Sequence, residues 1–334
     1  MQKQFTDKDK QIGILITNLG TPDSPTTKDL KKYLNQFLMD KRVVDISRLL
    51  WVPLLKLIIL NIRPRKSAKL YKSIWTENGS PLLSISTKIL IKLNEKLNNY
   101  NSNITIELGM RYGNPSIGKA LDSFKNKSIS KILVLPLYPQ AGSPTTSSTF
   151  DAINIHLKDQ NWTPSLRFVS GYHDDNDYIE ALSNSIKNSF SKHGKPDKLI
   201  FSYHGMPERY LHEGDPYYCF CHKTTRLVAE NLGLDDKIYD MAFQSRFGYE
   251  KWLQPYLDEM IPDIANNGGK HIQIISPGFS ADCLETLEEI DIQYRKLFLN
   301  NGGDKFEYIP CLNDTANHIE LIYSIIKRNI KGWN

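Results

Sequence analysis

The sequence lacks any apolar run long enough to cross a bilayer and any apolar segment near its start. A transmembrane helix needs about 20 consecutive apolar residues, and the polar stretch Met1 to Lys10 gives no sign of a secretory signal. Basic and acidic residues nearly balance, 42 against 37, and the lysines are interspersed, so no nucleic-acid groove is indicated. These absences predict a cytoplasmic protein without a nucleic-acid partner.

Cysteine is also scarce. The chain has four, Cys219, Cys221, Cys283 and Cys311, and a reducing compartment does not favour disulfides between them. Cys219 and Cys221 lack the second cysteine pair that makes a structural zinc site convincing. Ordinary reduced thiols are therefore the favoured interpretation.

The length and the order of the elements predict two α/β domains. A chain of 334 residues exceeds the size at which one hydrophobic core usually stops growing. Short β-rich runs alternate with amphipathic segments of helical period, which is typical of parallel sheets covered by helices on both faces. The expected strands are Ile12–Thr17, Ile104–Leu108, Ile132–Leu135, Leu166–Ser170, Leu199–Tyr203, Ile238–Ala242, Ile272–Ser276 and Phe306–Ile309.

The two halves of the sequence resemble each other. The segment Ile16 to Pro22 matches Phe201 to Pro207, with Gly and Pro at the same spacing, and Arg111-Tyr112-Gly113 resembles Arg246-Phe247-Gly248. A duplication predicts two similar doubly wound domains, residues 1–160 and 161–312, with a last helix in 313–334 and a cleft between the domains. In open parallel sheets, ligands bind beyond the carboxyl ends of the strands.

His204 is the first candidate for chemistry. It follows the predicted strand Leu199 to Tyr203 directly, and the turn residues Gly205 and Pro207 come after it. Its counterpart in the first half is Leu19, so only one copy of the duplicated frame carries an imidazole. A lone histidine more often has a structural role, but this asymmetry favours a functional one.

An acidic stripe is the second candidate. At the α-helical period, Asp282, Glu285 and Glu289 fall on one face of a helix, opposite Leu284, Leu287 and Tyr294. The alternative is that these carboxylates only complement the helix dipole and face water. Together with an imidazole, however, they would suit a divalent first-row metal that is bound weakly and passed on, and they could carry protons.

The third feature is the apolar stretch Val43 to Ile62, which we call the lip, followed by Arg63, Arg65 and Lys66. An apolar surface with cations at its rim could hold a flat ligand that carries carboxylates, or rest on anionic lipid. The alternative, a buried helix with a basic end, is equally compatible with the sequence.

From about Gly13 to about His318 the sequence resembles the ferrochelatases. The most specific segments are Leu199 to Pro207, Leu135 to Gln140 and Phe279 to Leu287, and supporting segments are Gly20-Thr21-Pro22, Gly79-Ser80-Pro81, Gly109 to Gly113 and Phe243 to Arg246. The resemblance implies two Rossmann-like, chelatase-type domains and insertion of Fe(II) into protoporphyrin IX, the last step of haem synthesis.

The resemblance also implies roles for individual residues. His204 and Glu285 would be the catalytic and metal-facing pair, and Asp282 would assist in carrying protons or iron. Substrate-binding residues would be Leu19, Arg63, Arg65, Tyr71, Ser80, Arg111, Trp252 and Phe279. Cys283 stands where some members carry a second histidine, so it receives no ligand role.

Partners and cofactors follow from the same resemblance. Protoporphyrin IX and ferrous iron would be substrates, no tightly bound cofactor is expected, and the chain lacks the Cys-rich tail that holds a [2Fe–2S] cluster in some members. The lip would give weak contact with a membrane surface, which makes a peripheral inner-membrane location an expectation. Alternatives are a cobalt, nickel or coproporphyrin chelatase of the same fold, or a non-catalytic two-domain binding protein.

Overall fold

The computed structural model describes residues 11–248 and 250–333. Its α-helices are α1 Thr27–Leu38, α2 Arg48–Leu54, α3 Leu60–Ile74, α4 Pro81–Tyr100, α5 Ile117–Asn126, α6 Ser148–Lys158, α7 Asn176–His193, α8 Glu208–His212, α9 Tyr217–Leu232, α10 Leu257–Asn266, α11 Arg295–Asn300 and α12 Ala316–Ile330. Three further segments, Leu55–Ile59, Ser143–Ser147 and Glu285–Tyr294, are π-helices.

The strands are β1 Ile12–Thr21, β2 Ile104–Gly113, β3 Lys131–Pro136, β4 Ser165–Phe168, β5 Lys198–His204, β6 Tyr239–Gln244, β7 His271–Ile275 and β8 Lys305–Ile309. They form two four-stranded sheets in the described residues, with the orders β2-β1-β3-β4 and β6-β5-β7-β8. Every pairing is parallel. Each predicted strand is present, and two parallel α/β sheets with flanking helices confirm the predicted fold class.

The chain divides into two compact units. Unit 1 comprises residues 11–137, 143–171 and 314–333, and unit 2 comprises residues 138–142, 172–248 and 250–313. The main boundary between the units thus falls at 171/172, compared with the expected 160/161, because β4 pairs with β3 in the first sheet. The helix α12 packs within unit 1, against α4 and β3.

Strand pairing within the units shows how the two halves correspond. Asn18 pairs with Met110 in unit 1, and Tyr203 pairs with Phe243 in unit 2. The amide of Met110 donates to the Pro115 carbonyl, and that of Phe243 donates to the Pro255 carbonyl. Because Asn18 and Tyr203 occupy the same place in the repeated motif, Met110 corresponds to Phe243.

It follows that Arg111 is the counterpart of Gln244. The expected match of Arg111 with Arg246 is therefore wrong by two residues, since it rested on identical residue types and took no account of strand register.

The lip contains α2, the π-helix Leu55–Ile59 and the start of α3. Trp51, Leu55 and Leu60 are buried, and the Trp51 Nε1 donates to the Leu38 carbonyl at 2.7 Å. Seven other aliphatic side chains of the lip are exposed: Ile46, Leu49, Leu50, Leu54, Leu57, Ile58 and Ile62, with Leu49 87% exposed. The alternative of a fully buried helix is thus wrong. No helix in the described residues is long and apolar enough to span a membrane.

Each unit has its own hydrophobic core. In unit 1, Phe124 of α5 is fully buried among Leu15, Ile132 and Val134 of the sheet, and its ring lies so close to Gly13 that a Cβ there would come within 3.0 Å of it. In unit 2, α10 and α11 pack against β5, β7 and β8 around the fully buried Phe298.

We predict that Phe124→Ala lowers the free energy of unfolding by about 3–5 kcal/mol, because it removes a fully buried ring and leaves a cavity that the sheet cannot fill. Phe150→Ala is the matched control. Its ring is 48% exposed and its loss should cost about 1 kcal/mol, the value of its edge contact with Phe168. Denaturant unfolding measures both, and equal losses would contradict the assignment of this core.

Candidate active site

His204 lies at the carboxyl end of β5, a central strand of the second sheet, where it pairs in register with Gln244 at the end of β6. Its Nδ1 is 2.7 Å from the carbonyl oxygen of Gly205. A carbonyl only accepts hydrogen bonds, so Nδ1 carries the proton and Nε2 of the neutral ring keeps its lone pair. The Tyr217 hydroxyl donates to the His204 carbonyl at 3.0 Å. The imidazole is thus a partly exposed base with a defined tautomer.

Gly205 makes this arrangement possible. A Cβ at this position would lie 2.8 Å from the Gln244 carbonyl oxygen and 3.0 Å from the Trp252 ring. The Gly205 amide donates to the same Gln244 carbonyl at 2.8 Å. The close approach lets the buried Trp252 pack against the strand end beside His204, so the glycine is required by contact with its neighbours.

Gln244 connects the sheet with the acidic helix. Its Oε1 accepts a hydrogen bond from the buried Ser202 hydroxyl at 2.6 Å. That bond turns Nε2 toward the π-helix, where it donates to the Glu285 carbonyl at 2.9 Å and to Glu289 Oε2 at 3.2 Å. The amide therefore fixes the position of Glu289 relative to the strand that carries His204.

Glu289 accepts two further hydrogen bonds. The Ser245 hydroxyl donates to Oε2, and the Tyr294 hydroxyl donates to Oε1 at 3.1 Å. Ser245 has a φ of +66°, a left-handed conformation that is uncommon for a residue with a side chain. Such backbone geometry persists where surrounding contacts hold it, and it is frequent at functional sites.

The π-helix explains why Tyr294 contacts Glu289. Hydrogen bonds from i to i+5 bring residues five apart onto one face, and Glu289 and Tyr294 are five apart in the π-helix Glu285–Tyr294. The prediction that Tyr294 lies opposite the acidic face is wrong, because it assumed the α-helical period.

The electrostatic environment raises the pKa of Glu289. Burial of the carboxyl is the largest cause, and the negative charge of Glu285 adds to it. The hydrogen bond from Ser245 and the nearby His204 imidazole act in the opposite direction without cancelling the rise. Glu289 therefore takes up a proton more readily than an ordinary glutamate, and His204, Glu285 and Glu289 share one electrostatic environment.

Asp282 does not belong to this group. It is buried, and its Oδ1 accepts hydrogen bonds from Tyr308, from Thr286 at 3.1 Å and from the Cys311 amide at 3.3 Å. Its Oδ2 accepts one from Asn313 at 2.7 Å. These four donors fix Asp282 beside the end of β8, so the predicted stripe is wrong for Asp282.

The other predicted residues of unit 2 surround the strand ends. Phe279 is half-buried in the turn after β7, where its amide donates to the Ser276 carbonyl at 3.2 Å. Trp252 is buried and contacts the half-exposed Phe247, with ring centroids 4.8 Å apart. The burial of Cys283 raises the pKa of its thiol well above the ordinary value, which does not favour a thiolate ligand.

In unit 1, Arg111 is held within a buried polar network. Its guanidinium forms an ion pair with Asp40 and donates to the Ser148 hydroxyl at 2.6 Å and carbonyl at 2.9 Å. The Tyr112 and Ser148 hydroxyls also donate to Asp40. Burial pushes the pKa of Asp40 upward, but the hydrogen bonds from Ser148, the Arg42 amide and Tyr112, and the charge of Arg111, bring it below the ordinary value.

The remaining predicted residues of unit 1 lie in several environments. Ser80 is buried and accepts a hydrogen bond from Thr21 at 2.8 Å, and Tyr71 is buried against Tyr33 and Trp75. Leu19 is half-buried near the end of β1, whereas Arg63 and Arg65 are exposed on α3.

Sequence reasoning missed the contacts that Gln244, Ser245 and Tyr294 make with Glu289. The segment Phe243 to Arg246 was a visible signal, since it directly follows a predicted strand. In the described residues no three His, Cys, Asp or Glu side chains are grouped so as to hold a metal ion.

Two parallel α/β units, one of which carries His204 at the carboxyl end of a central strand and Glu289 within its electrostatic reach, define a chelatase-type protein. The fold is similar to that of SirB from Bacillus subtilis with Fe3+, with a TM-score of 0.57, 9% identity and 96% of each chain covered. The sirohydrochlorin chelatase SirB from Bacillus subtilis subspecies spizizenii in complex with cobalt gives a TM-score of 0.56 at 9% identity, covering 96% of this chain and 95% of that one.

The family model named Ferrochelatase matches residues 11–330, and the chain belongs to the ferrochelatase family. "Ferrochelatase 2" of Shewanella oneidensis is 52% identical over 317 residues, covering 95% of this chain and 97% of the relative. A ferrochelatase of Marinobacter nauticus is 50% identical, covering 97% of this chain and 88% of the relative. The protein is an enzyme, a lyase that inserts ferrous iron into a porphyrin to form protohaem; the binding-protein and cobalt or nickel alternatives are not favoured.

The raised pKa of Glu289 gives a prediction about stability. Between the ordinary value of 4.5 and the raised value, the folded state binds more protons than the unfolded state, so the free energy of unfolding falls as pH rises through this window. Glu289→Gln removes the titration. We therefore expect the wild type to lose stability relative to Glu289→Gln as pH rises above 4.5, and to reach a constant difference above the raised pKa.

Denaturant unfolding at a series of pH values measures this difference. Glu180→Gln, on the exposed surface of α7, controls for the change in net charge. The environment described for this carboxyl is contradicted if the stability of wild type relative to Glu289→Gln is independent of pH, or if it increases as pH rises.

Proposed function

We propose that His204 is the base that accepts protons from the pyrrole nitrogens when ferrous iron enters protoporphyrin IX. The observation that carries this proposal is the hydrogen bond from Nδ1 to the Gly205 carbonyl at 2.7 Å. It leaves the Nε2 lone pair as the available acceptor on a partly exposed ring at the end of β5. General bases act through such a positioned lone pair, and imidazole titrates near neutral pH.

We propose that Glu285 is a ligand of the incoming metal and that Glu289 accepts protons. Both residues lie on the π-helix next to the end of β6. Glu285 is half-buried and supplies carboxylate oxygen that a divalent first-row metal accepts as a ligand alongside imidazole. Glu289 has a raised pKa because of burial and the charge of Glu285, so it can take up a proton nearer to neutrality than an ordinary glutamate. Asp282 was expected to assist in this relay; its oxygens accept four hydrogen bonds beside the end of β8, so we propose for it a positioning role instead.

The porphyrin is proposed to contact Trp252 and Phe279 of unit 2, and Leu19, Tyr71, Ser80, Arg63 and Arg65 of unit 1. Arg111 is proposed to act indirectly, by holding Asp40 and the segment that leads into the lip. A porphyrin bent at one pyrrole presents its nitrogen lone pair out of the ring plane, and strain of roughly 1–5 kcal/mol can come from contacts remote from the metal. Apolar and cationic side chains suit a flat apolar ring with carboxylates.

No tightly bound cofactor is proposed, and ferrous iron enters as substrate. We propose no [2Fe–2S] cluster, and support comes from the described residues, in which no three His, Cys, Asp or Glu side chains are grouped so as to hold a metal ion.

His204→Ala should lower the rate of metallation by about 10²–10⁴-fold, because the variant lacks a positioned base, while protoporphyrin IX still binds. Glu285→Gln should also lower turnover severely. His212→Ala, an exposed histidine of α8, is the matched control and should keep wild-type turnover. The measurement is anaerobic appearance of the metalloporphyrin Soret band, with porphyrin affinity measured separately by fluorescence.

Near-normal metallation by His204→Ala would show that His204 is not the base. Parallel reactions with protoporphyrin IX and coproporphyrin III test the porphyrin preference, and faster metallation of coproporphyrin III would replace the substrate proposed here.

We also propose that the lip rests on a membrane surface, which gives a cytoplasmic, peripheral location on the inner membrane. Support comes from its exposed aliphatic side chains, among them Leu49 at 87%, Leu57 at 73% and Leu50 at 72%. Monomeric soluble proteins rarely leave such a contiguous apolar surface in water, and helices that lie in a membrane interface typically do.

Leu49→Ser combined with Leu57→Ser should lower partition into neutral phosphatidylcholine vesicles by at least tenfold, because each replaces exposed apolar area with a hydroxyl. Ile91→Ser combined with Ile155→Ser, two other exposed aliphatic positions, is the control pair. Vesicle flotation measures partition, and an equal effect of both pairs would argue against the lip as the contact surface.

A further inference from the structure

A cationic cleft adjoins the exposed surface of the lip. The cleft has a volume of about 480 Å³ and is lined by Lys28, Lys31, Lys32, Asn35, Lys56 and Leu60. The first four of these residues belong to α1. Three of them follow Lys28 by three, four and seven positions, so all four share one helix face. Lys56 comes from the π-helix Leu55–Ile59 and Leu60 from the start of α3.

The lysines of this cleft are only partly neutralised. Lys32 forms an ion pair with Asp23 at 3.0 Å, and Lys31 donates to the amide oxygen of Asn61 at 3.0 Å. The side-chain amines of Lys28 and Lys56 have no ion-pair or hydrogen-bond partner within residues 11–248 and 250–333. The nearest other carboxylate on α1 is Asp29, which accepts hydrogen bonds from Ser24 and Thr26. At least three positive charges therefore face the cleft without a carboxylate partner.

The position of the cleft identifies the kind of anion that fits it. Lys56 stands next to Leu57 in the chain, which is 73% exposed, and two residues after Leu54, which is 42% exposed. Apolar side chains that enter the acyl region of a bilayer bring neighbouring lysines to the depth of the lipid phosphates. A soluble metabolite would need no exposed leucine beside its site, whereas an anionic phospholipid offers both a phosphate and an apolar tail.

We propose that this cleft is a binding site for the phosphate headgroup of anionic phospholipids, and that it makes the membrane contact of the lip selective for anionic lipid. The inference rests on the proposed contact between the lip and a membrane. It assigns a separate part to each group: the exposed aliphatic side chains supply partition into any bilayer, and Lys28, Lys31 and Lys56 supply the preference for negative charge.

The test compares vesicles of phosphatidylcholine alone with vesicles that also contain phosphatidylglycerol, using the full chain. Each lysine near an anionic surface strengthens binding by about fivefold, so replacing all three of Lys28, Lys31 and Lys56 by Gln should weaken binding to the anionic vesicles by about 100-fold. Binding to phosphatidylcholine should change little. Added salt should weaken the binding of the wild type to anionic vesicles and leave its binding to phosphatidylcholine vesicles nearly unchanged.

The matched control carries Lys187→Gln, Lys192→Gln and Lys195→Gln. These lysines are exposed in unit 2, and the triple replacement changes the net charge by the same amount. It should bind anionic vesicles like the wild type. Soret-band assays in detergent should give wild-type metallation for both triple variants, since none of the six lysines belongs to the proposed active site.

Several outcomes would overturn the proposal. If the cleft variant binds anionic vesicles like the wild type, or if the control variant loses as much binding, the cleft is not a headgroup site. Displacement by inorganic phosphate beyond the effect of chloride at equal ionic strength would make a soluble anion the occupant.

The same data test the membrane contact separately. Equal wild-type binding to both vesicle types would leave the lip contact standing and reject the cleft as a selective site. Absence of binding to either would reject both proposals.

Discussion

The candidate active site depends on one carboxamide. Gln244 accepts a hydrogen bond from Ser202 inside the second sheet and donates from its other end to Glu285 and Glu289 on the π-helix. Because Gln244 pairs in register with His204, this single side chain sets the position of the acidic helix relative to the base. A buried polar group that loses a hydrogen bond costs free energy. Gln244 therefore stabilises the one arrangement of its neighbours in which all of its hydrogen bonds are made.

The fold was largely predictable from sequence for a physical reason. Short apolar runs such as Ile12 to Thr17 and Leu199 to Tyr203 are typical of parallel strands that are buried on both faces, and the segments between them have helical period. His204 was predictable in the same way, since Gly205 and Pro207 end the strand just beyond it. These signals are local, so they can be read from the sequence without knowledge of tertiary contacts.

The details of the site were not predictable, because they depend on contacts distant in sequence. Asp282 has the spacing of an acidic stripe, yet Tyr308, Cys311 and Asn313 hold it inside the unit. Tyr294 was assigned to the wrong face because the α-helical period was assumed, and the sequence does not indicate that Glu285–Tyr294 is a π-helix. The roles of the porphyrin-contacting residues, the membrane contact and the domain bounds drawn from sequence stay predictions, whereas the family and its reaction are confirmed by the relatives.

The paired registers of the two sheets show where the duplicated halves have diverged in length. Asn18 and Met110 are 92 positions apart, whereas the corresponding Tyr203 and Phe243 are 40 apart. The lip and the cationic cleft both lie in the longer connection, between β1 and β2. Because Arg63, Arg65 and Tyr71 lie in the same connection, a deletion there would alter the proposed lipid attachment and the proposed porphyrin contact together.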